Sequence, residues 1–142
     1  MSNLSPFHLA IPVKNLGTAR TFYRDIIQCI EGRSDTKWVD FNFYGHQLVI
    51  HETEQSTNPE KENNNAVDGH EVPIPHFGIV LEMGLWKELS QRLKSHQIDF
   101  LIKPYVRFEG QPGEQATMFF KDPSGNALEF KAFKNLSQLF AK

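Results

Sequence analysis

The strongest constraint on this chain is that it says one thing twice. "PFHLAIPV" at Pro6–Val13 and "PHFGIV" at Pro75–Val80 share one pattern: a His, a bulky residue, a small residue and an Ile. The two phrases lie about half the chain apart, and the chain has only 142 residues. Two independent domains of that size would each be marginal, so the repeat points to two half-sized modules sharing one domain.

The segment after each phrase repeats as well. Behind the first stands "KNLGTARTFYRDIIQ", where Asn15 suits an N-cap and Leu16, Ala19, Tyr23, Ile26 and Ile27 recur at helical spacing. Behind the second stands "EMGLWKELSQRLKSH", with Leu85, Leu89 and Leu93 in one stripe. Each half then offers a hairpin. The first is "WVDFNFYGHQLVIHE", with a turn at Gly45–His46, and the second is "ATMFFKDPSGNALEFKAF", with a turn at Asp122–Gly125. A further strand is expected in each half, at "CIEGR" and "IDFLIKPYVRF". The expected fold is α+β, with two tandem β-α-β-β-β modules at about 5–53 and 74–134. The polar, Asn-rich stretch 54–73 reads as a linker, and 135–142 as a tail that could form a short helix.

Composition narrows the class of function. With 39% hydrophobic residues, 23% charged residues and a net charge of -2, the chain has neither a basic run for nucleic acid nor an apolar run for a membrane span. The start "MSNLSPFH" lacks the basic and apolar regions of a signal peptide, and the single Cys29 allows no intrachain disulfide. A soluble cytoplasmic domain is expected, and composition says no more.

Strand parity brings the polar residues together. Side chains two apart share a face, so Phe7, Leu9, Ile11 and Val13 turn to the helix while His8, Ala10 and Pro12 turn away. The same reading sets His76 opposite Phe77 and Ile79, Glu129 opposite Leu128 and Phe130, and His51 opposite Leu48 and Ile50. A lone strand His is ordinarily a hydrogen-bonded structural residue, and a lone Glu ordinarily a solvated one. Four such residues on one face, two of them related by the repeat, are of types that coordinate divalent metals. Two imidazoles and a carboxylate make the facial triad of non-haem iron sites, and they can equally hold Zn, Ni or Mn. Met118, Phe119 and Phe120 are all apolar, so alternation does not assign them to a face.

The two His phrases, "ARTFYRDII" and "KDPSGNALEF" together resemble the vicinal oxygen chelate superfamily, which includes glyoxalase I, bleomycin-binding proteins, fosfomycin-modifying enzymes and extradiol dioxygenases. The resemblance runs from about Phe7 to Phe133. It is nearest to small single-domain proteins described as predicted extradiol dioxygenases. It implies paired modules curled around one divalent metal, with His8, His76 and Glu129 as the ligands and Fe(II) as the leading metal, ahead of Ni, Zn or Mn. His51 would be a fourth ligand or the residue that moves a proton. The stretch "GQPGEQATMFF" lacks the pocket His and Tyr of well-studied extradiol enzymes, for which Tyr44 or Tyr105 could substitute. The resemblance leaves three functions open: a dioxygenase acting on a substrate chelated through vicinal oxygens, a glyoxalase-type isomerase with a Lewis-acid metal, or a metal-free binding protein.

Overall fold

A computed structural model describes residues 4–54, 63–67 and 70–142. The chain divides into two compact units: Met1–Asn58 with Asp122–Asn126, and Pro59–Lys121 with Ala127–Lys142. The first contains β1 (His8–Val13), α1 (Leu16–Thr21), β2 (Ile30–Ser34), β3 (Trp38–Phe43) and β4 (His46–Glu52). The second contains β5 (Asn63–Val67), β6 (His70–Ile74), β7 (Val80–Leu81), α2 (Met83–Ser95), β8 (Phe100–Arg107), β9 (Gln115–Lys121) and β10 (Ala127–Phe133). Their main sheets share one topology, β1-β4-β3-β2 in the first and β7-β10-β9-β8 in the second. In each, one outer strand (β1 or β7) runs parallel to its neighbour and the remaining pairs are antiparallel. The α+β architecture of repeated modules is thus realised, including the extra strands β2 and β8.

In the first unit the expected alternation holds at Ile11 and Val13, which are buried while Ala10 and Pro12 are exposed, whereas Leu9 is half-buried and Phe7 is 64% exposed. Asn15 caps α1, its side-chain oxygen accepting the Thr18 N–H at 2.9 Å. The helix then widens into a π-helical turn, Phe22–Ile26. The wider turn changes which residues face inward, so Phe22, Tyr23 and Ile27 are all buried. A uniform 3.6-residue stripe had instead included Ile26, which is only half-buried. The β3–β4 hairpin turns at Tyr44–Gly45, both at positive φ (53° and 91°), the two-residue geometry that matches sheet twist. The turn therefore falls one residue earlier than expected. His46 opens β4, its Nδ1 accepting the Phe7 N–H at 2.8 Å.

The Asp122–Asn126 turn is built around one buried carboxylate. Asp122 accepts the Tyr23 hydroxyl at 2.7 Å and the backbone N–H groups of Ser124 and Asn126 at 2.9 Å each. The Asn126 side-chain amide adds a fourth bond at 2.9 Å. Burial and then the neighbouring carboxylate hold the Tyr23 phenol well above its ordinary pKa of 10.

In the second unit, part of the segment expected to be a linker is structured. Within 54–73, the described residues include β5 and most of β6, which pair antiparallel from Asn63↔Ile74 to Val67↔His70; 55–62 and 68–69 lie outside the described residues. The buried face of α2 is Trp86, Leu89, Ser90 and Leu93, and Leu85 is 49% exposed. The larger indole takes the inner position because its N–H donates to the Phe130 carbonyl at 2.9 Å, tying α2 to β10. Beneath it, Phe120 and Phe130 stack with centroids 5.8 Å apart. Asn135 caps a 3-10 turn, Leu136–Gln138, where the short helix was expected. No described helix is long and apolar enough to cross a membrane.

Candidate metal centre

The segment carrying His76 joins β10 through backbone bonds. Phe77 N–H donates to Ala127 O at 3.2 Å, Glu129 N–H to Phe77 O at 2.9 Å, and Lys131 N–H to Ile79 O at 3.1 Å. In this register Gly78 lies against Glu129, and a Cβ there would overlap the Glu129 carbonyl oxygen. Only glycine lets the two backbones approach this closely. The approach sets His76 Nε2 at 3.4 Å from Glu129 Oε1, with the side chains 29% and 17% exposed.

Both groups are held in place. His76 Nδ1–H donates to the Pro73 carbonyl at 2.8 Å, and its ring meets the edge of Phe119 at 4.8 Å between centroids. Phe119 also packs with Val72, Ile102, Ala127 and Tyr105, which settles its face; Met118 and Phe120 are fully buried too. Glu129 Oε2 accepts the Thr117 hydroxyl at 2.7 Å, and Lys131 Nζ lies 3.9 Å from Oε1.

This pair fits a metal ion. A carbonyl only accepts, so Nδ1 carries a proton; when Nε2 carries none, its lone pair faces a carboxylate oxygen, another acceptor. Two acceptors facing each other need a cation between them, either a proton on the ring or a metal. Ligand atoms lie about 2.0–2.2 Å from a small divalent ion, so two ligands of one ion stand about 3.0–3.6 Å apart; the observed 3.4 Å falls within that range. The Pro73 bond is the outer support that ligating histidines commonly have.

In the first unit, His8 is exposed and its Nδ1–H donates to Gln47 Oε1 at 2.8 Å, which likewise leaves Nε2 free. The Gln47 amide in turn donates to Asp40 Oδ2 at 3.2 Å. Asp40 is 7% exposed, and its Oδ1 has no hydrogen-bond partner among the described residues. His51 shares the face of His8, but the parallel register pairs His8 with Gln47 and His51 with Pro12. That is an offset of four residues, about 13 Å along the strand. The register thus sets Gln47, and not His51, directly across from His8.

The structure therefore brings His76 and Glu129 together and sets His8 against Gln47. Neither unit by itself gathers three His, Cys, Asp or Glu side chains suited to one metal among the described residues. Sequence reasoning missed Gln47, Asp40, Thr117 and the Pro73 carbonyl. Gln47 was visible in principle, lying on the same strand face as His51, but its nearness to His8 depends on the register. Of the remaining histidines, His70 begins β6 and His96 comes directly after α2, both exposed.

The family model described as Glyoxalase/Bleomycin resistance protein/Dioxygenase superfamily matches residues 5–130. A glyoxalase/bleomycin resistance protein/dioxygenase from Alicyclobacillus acidocaldarius is 31% identical over 96% of both chains, with a TM-score of 0.73. The fosfomycin resistance protein FosX of Listeria monocytogenes has been solved as a mutant complexed with Mn(II) and 1S,2S-dihydroxypropylphosphonic acid. It is 19% identical over 100% of this chain and 99% of its own, with a TM-score of 0.66. Lactoylglutathione lyase from Agrobacterium tumefaciens is 19% identical over 97% of both chains, with a TM-score of 0.63. No curated protein matches the sequence.

Proposed function

The chain belongs to the glyoxalase/bleomycin resistance protein/dioxygenase superfamily, and from its own residues we propose a metal-dependent enzyme of the extradiol dioxygenase type. In this reading a divalent ion, Fe(II) first, is held by His76, Glu129 and His8. When bound, the ion supplies a Lewis-acid and redox centre for a small substrate that chelates through two adjacent oxygens. The observation that carries the proposal is the His76–Glu129 pair, two electron-pair donors 3.4 Å apart with their outer atoms already tied down.

The dioxygenase reading is supported over the isomerase by Val49. It occupies the place in the first module that matches Glu129, so no carboxylate stands there as a fourth ligand. A set of two imidazoles and one carboxylate leaves coordination positions open for both substrate and O₂. Thr117 holds Glu129 in one orientation, and Phe119 walls one side of His76 against water. Lys131 stands near Glu129 and suits a substrate oxygen bearing negative charge. His51 is the proposed proton-transfer residue, acting on a substrate that extends along β4 from His8. The Mn(II) complex of the Listeria protein supports a divalent ion in this fold. The assembly proposed, a homodimer, rests on the family resemblance.

The test is metal content per chain on untagged protein prepared without oxygen, followed by O₂ uptake with catechols. About one equivalent of iron with O₂ consumption is the expected result. Nickel or zinc with isomerisation of a 2-oxoaldehyde adduct would replace this reading with the lyase. An absence of metal after reconstitution would leave a binding protein.

A further inference from the structure

An unusual amount of local structure is arranged around one carboxylate, Asp40. It is buried to 7% exposure on β3, with Oδ1 lacking a hydrogen-bond partner among the described residues. Room for it is made on the neighbouring strand. The β2–β3 register runs Glu31↔Phe41 and then Ser34↔Val39, so two residues, Gly32 and Arg33, bulge opposite Asp40. A Cβ at Gly32 would overlap Asp40 Oδ1. A glycine and a bulge thus accommodate a buried acceptor that is bonded to the Gln47 side chain.

The direction of that bond has a consequence two groups away. A carboxylate only accepts, so the Gln47 end facing Asp40 is the NH₂, and the end facing His8 is therefore the carbonyl oxygen. A carbonyl oxygen also only accepts, so His8 carries its proton on Nδ1. We propose that Asp40, through Gln47, fixes His8 as the Nδ1–H tautomer and so keeps its Nε2 lone pair available to a metal ion. Free histidine favours the opposite tautomer, with the proton on Nε2, which cannot ligate through that atom. Asp40 is thus a positioning residue, and the inference rests on His8 being a ligand of the proposed metal centre. His76 reaches the same state by a different route, through a backbone carbonyl.

The test reads the tautomer directly, on metal-free full-length protein with ¹⁵N-labelled histidine. Long-range ¹H–¹⁵N correlation is recorded in mildly alkaline buffer, and His8 is assigned with a His8→Gln variant. The wild-type protein is expected to show His8 protonated on Nδ1. Asp40→Asn keeps the shape but can face Gln47 with either end of its amide, so a mixture of tautomers is expected. Asp40→Asn with Gln47→Glu restores an acceptor-only group beside His8 and should return the Nδ1–H form. Should Asp40→Asn fail to fold, Gln47→Met on the exposed face removes the same acceptor and should release the tautomer. Zn(II) competition titration is expected to show affinity falling about tenfold in Asp40→Asn and recovering in the double variant. An Nε2–H ring in the wild type, or an unchanged tautomer in folded Asp40→Asn and Gln47→Met, overturns the inference. Tautomers that respond as expected, with Zn(II) binding indifferent to His8→Gln, uphold the relay and overturn His8 as a ligand.

Discussion

The two modules have the same strand order and differ in how each supports its histidine. In the first, β1 pairs with β4 over six residues, from His8↔Gln47 to Val13↔Glu52. In the second, the matching pairing shrinks to β7 and one bridge, Phe77↔Leu128. By register, Ala10 faces Val49 where Gly78 lies against Glu129, so the acid of the second module stands where the first has a buried valine. Around His8 the supports are polar, Gln47 and then Asp40; at the matching places the second module has Ala127 and Phe119. The shared scaffold thus carries one supported lone donor and one donor–carboxylate pair. The strand order is common to both modules, and the residues flanking each histidine are among the places where they differ.

The largest effect that would break this comparison is loss of the pair. Glu129→Ala or His76→Ala is expected to abolish tight metal binding while the domain stays folded, checked by metal analysis and circular dichroism. Retained stoichiometric metal at unchanged affinity would remove the site. Gly78→Ala should come next, because its Cβ has only backbone to meet. A loss of about 2–4 kcal/mol of stability is expected by urea titration, whereas Ala10→Gly at the matching position should cost at most about 1 kcal/mol.

Tyr23→Phe removes one of four bonds to buried Asp122, with an expected loss of about 1–3 kcal/mol by the same titration. Mixing His8→Ala chains with Glu129→Ala chains sharpens the comparison differently. Recovery of metal binding on mixing would assign the two donors of a site to different copies, and no recovery would assign them to one.

The smallest effect concerns Glu52, at the end of β4. Its carboxylate accepts from Lys37 and from the Leu16 N–H at the start of α1, and those bonds, Lys37 first, hold its pKa below the ordinary 4.5. A lowered folded pKa means that this stabilisation is complete above 4.5 and lost as pH falls through the folded value. Glu52→Gln should therefore flatten the acid side of the stability curve below that pH and leave the neutral side little changed in slope.

Parity was legible because a strand has a fixed period of two, and it sorted His8 from Ile11 and Glu129 from Phe130 without any structure. Lateral register was not, because it depends on where a turn closes. The hairpin turn one residue earlier than expected, and the parallel pairing of β1 with β4, decide that Gln47 and not His51 stands beside His8. The inner face of α2 was misread at Leu85 because the hydrogen bond that draws Trp86 inward is made to a distant carbonyl. The π-helical turn after α1 left no local mark in the spacing of apolar residues. The hairpin β5–β6 was hidden by composition, since its first strand, "NNNAV", is polar.

The Asp122–Asn126 turn groups with the first unit, although the strands it joins, β9 and β10, belong to the second. The chain therefore crosses from unit to unit three times, not once. A gene cut anywhere between the halves would give an N-terminal fragment whose buried Tyr23 hydroxyl has lost its acceptor and a C-terminal fragment that keeps it. The two halves repeat one pattern, yet the Asp122–Asn126 turn makes each cut between them leave one unit incomplete. Splitting, swapping or circularly permuting it at the midpoint should yield fragments that need each other to fold.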